Sequence, residues 1–140
     1  IITYEGQASI ELEAIIDSNI DNFYPYNIYK EKDNYIIKPE NIIREIIKDK
    51  LNGISSQEMS IKFHNTVVKF TVDVCNNIRK DTALNEVALS GGVFQNTYLL
   101  DRLMVSLENA NFKVYTHEII PSNDGGVALG QLVCAIERLR

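Results

Sequence analysis

The stretch Glu86-Val-Ala-Leu-Ser-Gly-Gly-Val-Phe-Gln-Asn96 decides the fold of this chain. Residues 87–89 form a short apolar run bounded by turn residues, which is typical of a buried parallel strand. The glycine pair predicts a tight turn into a helix whose leucine-rich stripe covers residues 99–107. Residues 112–116 then predict a second strand, which pairs with the first in parallel across a right-handed helical connection.

A second glycine pair lies in Ser122-Asn-Asp-Gly-Gly-Val-Ala-Leu-Gly130, at the predicted start of a last helix with apolar positions to residue 139. A glycine turn at a helix N-terminus offers backbone N–H groups to anions, phosphates above all. The spacing matches neither the dinucleotide fingerprint nor the P-loop. We therefore predict an α/β fold, a sheet flanked by helices, with a general anion site at the turns; ordinary tight turns are the alternative.

The first half of the chain predicts three helices and a hairpin. A helix is expected from Gly6 to about Ser18, and a small hairpin is expected near residues 26–38, with its turn at 32–34. Pro39 suits the first turn of the next helix, and Ser55-Ser-Gln-Glu58 matches a capping box that starts the longest helix, to about Arg79. Spacings of four and three predict one continuous buried stripe on that helix. The stripe consists of Met59, Phe63, Val67, Phe70, Val74 and Ile78.

Composition indicates one domain over residues 1–140, with 45% hydrophobic and 24% charged residues. The net charge of −5 argues against a nucleic-acid partner. No apolar run reaches membrane-spanning length. Cys75 and Cys134 lie in apolar helical patterns, which predicts two buried reduced thiols and a cytoplasmic location. Because the sequence starts at Ile1 without an initiator Met, we expect a piece of a longer protein.

Two polar residues at the turns are candidates for binding chemistry. Asn96 can reach a hydroxyl or ring nitrogen beside bound phosphates, or else act as a local cap or solvent-facing residue. Asp124 is either a plain helix N-cap or a carboxylate ligand for a divalent metal that also touches phosphate. His64 is expected to be a packing or surface residue, and His117 ends a strand. The sequence contains no HExxH or paired CxxC motif, and no catalytic triad suggests itself.

Four motifs together give this sequence a family resemblance. They are Tyr4-Glu-Gly-Gln-Ala8 with Glu11-Leu-Glu13, Phe63-His-Asn-Thr66, Val87–Asn96 and Pro121–Gln131. In this order they resemble the C-terminal region of the HypF-type carbamoyltransferases. Residues 21–55 match that family only in general character.

The resemblance implies the second lobe of an actin-like and sugar-kinase-like (ASKHA) fold, in a module similar to the tRNA threonylcarbamoyl transferases. It implies a maturation enzyme for [NiFe]-hydrogenases that is cytoplasmic and uses carbamoyl phosphate and ATP. Through carbamoyl-adenylate, such an enzyme carbamoylates the C-terminal cysteine of its partner HypE. Dehydration of that product supplies the cyanide ligand of the hydrogenase iron.

Carried over by position, the resemblance implies that Gly91 and Gly92 line the nucleotide phosphates and that Asn96 contacts the nucleoside. Asp124 would ligate a divalent metal. No catalytic nucleophile is expected in this chain, because the partner's thiolate attacks. The upstream domains, including the lobe with two metal-binding histidines, are expected outside this sequence, so this piece alone is expected to be inactive.

Two other functions stay open at this point. A lobe of a tRNA threonylcarbamoyl transferase is one, although the acidic balance and the 123–126 form of the second turn count against it. Salt-sensitive tRNA binding would indicate it. The other is a non-catalytic docking module, which a silent titration with ATP and metal would favour.

Overall fold

The computed structural model describes residues 2–17 and 20–140. Its helices are α1 Gln7–Ala14, α2 Glu40–Leu51, α3 Ser56–Thr82, α4 Thr97–Asn109 and α5 Val127–Arg138. Its strands are β1 Ile28–Glu31, β2 Asn34–Ile37, β3 Glu86–Ala88 and β4 Lys113–Tyr115. A short 3-10 helix at Gly92–Gln95 follows β3, and a second one at Asp124–Gly126 precedes α5.

The predicted strand, helix and strand around the first glycine pair are confirmed. Strands β3 and β4 pair in parallel, with Val87 opposite Val114, and α4 makes the crossover between them. The apolar stripe of α4 packs on this sheet and on α3, and burying it gives the lobe its main core. The buried members of that core are Val68, Leu89, Leu99, Leu103, Leu107 and Phe112.

The predicted hairpin is confirmed with shorter strands and a tighter turn. Strands β1 and β2 pair antiparallel across a two-residue turn at 32–33, where Lys32 takes a φ of 56°. β1 begins only at Ile28, because the preceding tyrosines turn toward α2 and α3 instead of pairing. The hydroxyl of Tyr24 donates to Asp49 at 3.0 Å, and that of Tyr26 donates to Asp73 at 2.6 Å.

The predicted buried stripe on α3 is wrong. Its members are only partly buried and Ile78 is 39% exposed, whereas the fully buried positions are mostly polar. Those positions are Ser60, Ile61, His64, Asn65, Thr66 and Val68. Val68 of this face packs into the apolar core, whereas the polar members are buried because hydrogen bonds satisfy them. Asn65 Nδ2, for example, donates to the carbonyls of Ile20 and Asn22, as burial of a polar group requires.

The predicted helix boundaries hold with shifts of a few residues. Ser55 caps α3 by accepting from the amide of Glu58 at 3.1 Å, as predicted. The helix runs past Arg79 because its stop is Ala83, which takes the left-handed conformation with φ 62°. α1 ends at Ala14, and Ser18 lies outside the described residues. Pro39, predicted in the first turn, is the N-cap of α2.

Helix α5 leaves its apolar residues uncovered. None of its residues is buried, and Leu132, Val133 and Ile136 are 56, 53 and 45% exposed. Cys134 on this helix is therefore exposed, and the prediction of two buried thiols is wrong for it. Cys75 is half-buried, and burial raises the pKa of its thiol. Along residues 2–17 and 20–140, no helix is long and apolar enough to cross a membrane.

Candidate functional site

A cleft of about 820 Å³ lies where α1 faces the two glycine turns. Its walls carry three of the residues predicted to form a site, Gly92, Asn96 and Asp124. The fourth, Gly91, is adjacent to the cleft and does not line it. The structure thus brings the two glycine motifs to one place, although they are about 30 residues apart in sequence.

Gly91 joins the two turns through its backbone. Its amide donates to the carbonyl of Ser122 at 3.0 Å. Its φ of 110° and ψ of 159° belong to a region that residues with a side chain avoid. Gly91 therefore sets the shape of the turn, and its N–H is already used by the protein. Its contact with a nucleotide phosphate stays a prediction.

Gly92 keeps the cleft open. A Cβ built on Gly92 would meet no atom within 4 Å. The first 3-10 hydrogen bond of this turn runs from Phe94 to the carbonyl of Gly91, at 3.0 Å. The amides of Gly92 and Val93 precede that bond, so they have no partner within the short helix. Because Gly92 and Val93 also line the cleft, their amides are the candidate anion contacts of the first turn.

The N-terminus of α4 is occupied by the protein's own side chains, which corrects the expected anion site at that helix end. The helix begins at Thr97, after the 3-10 turn, and not directly after Gly92. The carboxylate of Glu13 on α1 accepts from the Thr97 hydroxyl at 2.9 Å and from the Tyr98 amide at 3.2 Å. A carboxylate at a helix N-terminus is favoured by the helix dipole. Glu13 thus takes the place that was predicted for an external anion.

Asn96 is the N-cap of α4. Its Oδ1 accepts from the Leu99 amide at 2.8 Å, which is ordinary capping geometry. Its Nδ2 meets His64 Nε2 at 2.9 Å. His64 is 4% exposed, and its Nδ1 faces the Ser60 carbonyl at 2.8 Å. The local-cap interpretation of Asn96 is confirmed, and the same residue lines the cleft.

The second glycine pair allows close packing, and Asp124 beside it does not cap the helix. Asn123, and not Asp124, is the cap, since its Oδ1 accepts from the Gly125 amide at 3.0 Å. A Cβ on Gly126 would lie 3.0 Å from Ile120 Cγ2, so glycine is needed for close contact there. Asp124 is exposed, and within residues 2–17 and 20–140 its carboxylate has no hydrogen bond or ion pair. It is thus able to meet a ligand.

The described charged side chains that line the cleft are all acidic. Among its described lining residues, the charged side chains are the carboxylates of Glu5, Glu13 and Asp124. No group of three or more metal-binding side chains occurs in the described part of the chain. An acidic wall repels phosphate, so a nucleotide here needs cations that these lining residues do not supply.

The two histidines differ in what surrounds them. His117 Nε2 lies 2.8 Å from the Ser90 hydroxyl, on an exposed surface beside the first glycine turn. His64 is a packing residue, as expected, but its contact with Asn96 was missed. The spacing of Ser60, His64 and Val68 was a usable indication, because positions four apart share one helix face. The apolar stripe through the neighbouring Phe63 is the more prominent pattern in the sequence, and it indicates a different helix face.

The fold and the motifs define a carbamoyltransferase module. Residues 1–131 match the family model described as "Carbamoyltransferase, Kae1-like Domain, second subdomain". The chain belongs to this family, and the α/β fold of its residues is the fold of that subdomain. The predicted resemblance to HypF-type carbamoyltransferases is thereby confirmed.

The individual relatives are HypF proteins. The chain is 31% identical to the carbamoyltransferase HypF of Synechocystis sp. and 25% identical to the probable carbamoyltransferase HypF of Methanocaldococcus jannaschii. These alignments cover 97% and 96% of the chain but 17% of each relative. A crystal structure of full-length HypF in the phosphate- and nucleotide-bound form matches with 48% identity and a TM-score of 0.94, over 99% of this chain and 18% of that one. The T. kodakarensis HypF structure matches in fold, with 22% identity and a TM-score of 0.75, over 94% of this chain and 17% of that one.

Proposed function

We propose that this chain forms one wall of the carbamoyl-adenylate pocket in the carbamoyltransferase module of a HypF protein. The observation that carries the proposal is the convergence of Gly92, Asn96 and Asp124 on one cleft. The similarity to a HypF that was crystallised with phosphate and nucleotide supports a nucleotide as the occupant. The chain spans 17% of the length of its curated relatives, so the rest of the pocket is assigned to residues outside this sequence.

Each cleft residue has one role in this proposal. The turn at Gly91 and Gly92 lines the phosphates of ATP or carbamoyl-adenylate, with the Gly92 and Val93 amides as donors. Asn96 contacts the nucleoside. These groups are fixed before the ligand arrives, since Gly91 and Asn96 are already tied by hydrogen bonds to Ser122 and the start of α4. Fixed donors of this kind stabilise developing charge at little reorganisation cost.

Asp124 is the proposed ligand for a divalent metal. Its free, exposed carboxylate is the hard oxygen donor that such cations prefer. One carboxylate is not a complete site, and the described residues offer no cluster to complete it. The other ligands are therefore assigned to the phosphates and to the remainder of the parent protein. When bound, the metal would neutralise phosphate charge in an otherwise acidic cleft.

The proposed reaction transfers a carbamoyl group to a thiol. The thiolate of the C-terminal cysteine of a HypE-like acceptor attacks the carbamoyl carbon, and AMP leaves with the electrons of the bond that breaks. The part of this chain is to hold the leaving phosphate on the amides of the first turn. Dehydration of the resulting thiocarboxamide, in the cytoplasm, would give the source of the iron-bound cyanide of a [NiFe]-hydrogenase.

The exposed face of α5 is the proposed contact for the upstream part of the same protein. Leu132, Val133 and Ile136 give α5 an exposed apolar face, and contiguous apolar surface of this kind often marks an interaction site. This chain on its own is therefore expected to self-associate through α5. Light scattering across a concentration series tests this, and a monomer at high concentration would contradict it.

A carbamoyl-transfer assay on the full-length parent tests the proposed function. Asp124→Ala is expected to abolish transfer to the acceptor thiol while the protein stays folded. Asp101→Ala is the matched control, since Asp101 is an exposed aspartate on α4 that does not line the cleft. Transfer at the unmodified rate by Asp124→Ala would overturn the metal role.

A further inference from the structure

We propose that His64 is a positioning residue, which fixes the side-chain amide of Asn96 for the ligand in the cleft. The inference rests on the proposed function, because it takes Asn96 as a ligand contact. His64 itself is 4% exposed and does not line the cleft. It acts on the ligand through Asn96 alone.

The hydrogen bonds determine the tautomer of His64. Its Nδ1 lies 2.8 Å from the carbonyl oxygen of Ser60, which can only accept, so Nδ1 carries the proton. The Nε2 of a neutral imidazole is then an acceptor. It receives the N–H of Asn96 Nδ2 at 2.9 Å. The Ser60 carbonyl on α3 thus fixes the tautomer of His64, and this tautomer requires the nitrogen end of the Asn96 amide to face α3.

The same bond determines the direction of the amide. The oxygen and nitrogen ends of an asparagine amide are alike in shape, so hydrogen bonds decide between the two orientations. With Nδ2 on His64, Oδ1 is directed to the Leu99 amide at 2.8 Å, and α4 is capped. One N–H of Asn96 and one lone pair of Oδ1 remain for a ligand, in a fixed arrangement.

The imidazole is held from several sides. It packs edge-to-face on the ring of Tyr98, at 5.6 Å between centroids. Ser60 Oγ, 3.4 Å from His64 Nδ1, donates to the Leu12 carbonyl of α1. α1, α3 and α4 therefore meet at this ring; α1 lines the cleft, and Asn96, the N-cap of α4, lines it too. A change of the ring is expected to loosen Asn96 without moving the glycine turn.

A double-mutant cycle on the full-length parent tests the proposal. His64→Leu removes the acceptor, and we expect KM for ATP to rise about tenfold with kcat little changed. His64→Gln keeps an acceptor near the Nε2 position and is expected to restore most of the affinity. In an Asn96→Ala background, His64→Leu is expected to add nothing further. Additive effects would show that His64 acts by another route and would overturn the inference.

A structural control separates positioning from loss of stability. Thr66 is also buried on α3, but it bonds the Tyr24 amide and has no link to Asn96. Thr66→Val is expected to lower Tm without changing KM. An equal rise of KM in Thr66→Val would mean that His64→Leu reports general loosening, which contradicts the proposal.

Two further measurements distinguish failure of this inference from misfolding of a variant and from failure of the proposed function. ¹⁵N NMR of the wild-type imidazole is expected to show the neutral Nδ1–H tautomer, and an Nε2–H tautomer would overturn the inference whether or not His64→Leu folds. If Asn96→Ala alone leaves ATP binding unchanged, the proposed role of Asn96 fails. If Asn96→Ala weakens binding and His64→Leu does not, only the positioning role fails.

Discussion

Replacing Gly91 and Gly92 one at a time by alanine is expected to change stability in opposite directions. Gly91 has φ 110° and ψ 159°, a conformation that costs a residue with a side chain about 1–3 kcal/mol. Gly92 has no such φ, and its Cβ would meet nothing within 4 Å. Alanine there restricts the unfolded chain, which favours folding by about 0.4–1 kcal/mol.

Urea unfolding followed by circular dichroism measures both effects. With a slope of about 2 kcal/mol per molar urea, Gly91→Ala is expected to lower the midpoint by about 0.5–1.5 M. Gly92→Ala is expected to raise it by a few tenths of a molar. Equal destabilisation by both variants, or none by Gly91→Ala, would refute the assignment of turn geometry to Gly91 and open space to Gly92.

The same pair separates shape from ligand contact in the full-length parent. The methyl group of Gly92→Ala enters the cleft beside the Gly92 and Val93 amides, where the phosphates are proposed to lie. Nucleotide affinity is therefore expected to fall although stability does not. Unchanged affinity in Gly92→Ala would place the phosphates elsewhere.

Two further predictions concern packing and pH. Gly126→Ala would put a methyl group 3.0 Å from the carbonyl oxygen of Pro121, so it is expected to lower the free energy of unfolding by about 1–3 kcal/mol in urea unfolding. Gly130→Ala has open space around it and is expected to raise the free energy of unfolding by up to about 1 kcal/mol. Hydrogen bonds from Lys62 and Tyr24 lower the pKa of Asp49 below 3.8. The ionised carboxylate therefore stabilises the folded state above pH 3.8, and this contribution is lost as the pH falls through the pKa of the folded state. Asp49→Asn is expected to be less stable than wild type at pH 7, with the difference shrinking in unfolding experiments below pH 3.8; a constant difference would contradict the assignment.

The sequence predicted the elements whose pattern is local. The apolar run at 87–89, the glycine pair and the leucine stripe of α4 determine the parallel unit, because each depends on near neighbours. The cap at Ser55 was also readable, since its partner is three residues away. These elements place the glycine turns correctly.

The parts that the sequence did not reveal depend on contacts between distant segments. Glu13 caps α4 from 84 residues away, and no local pattern indicates that it fills this helix end. The buried polar positions of α3 could not be predicted, because several of their partners lie in distant segments and leave no local pattern, as with the Tyr24 amide on Thr66 and the Asn96 side chain on His64. The exposure of Cys134 follows from the lack of any cover on α5 within the described residues.

A crystal structure of the full-length parent with ATP and a divalent cation tests the central claim most directly. The account predicts nucleotide phosphates at the Gly92 and Val93 amides, the nucleoside beside Asn96, and the metal on Asp124. Nucleotide density away from this cleft, with Asp124 still in solvent, would contradict the claim that this chain forms one wall of the pocket.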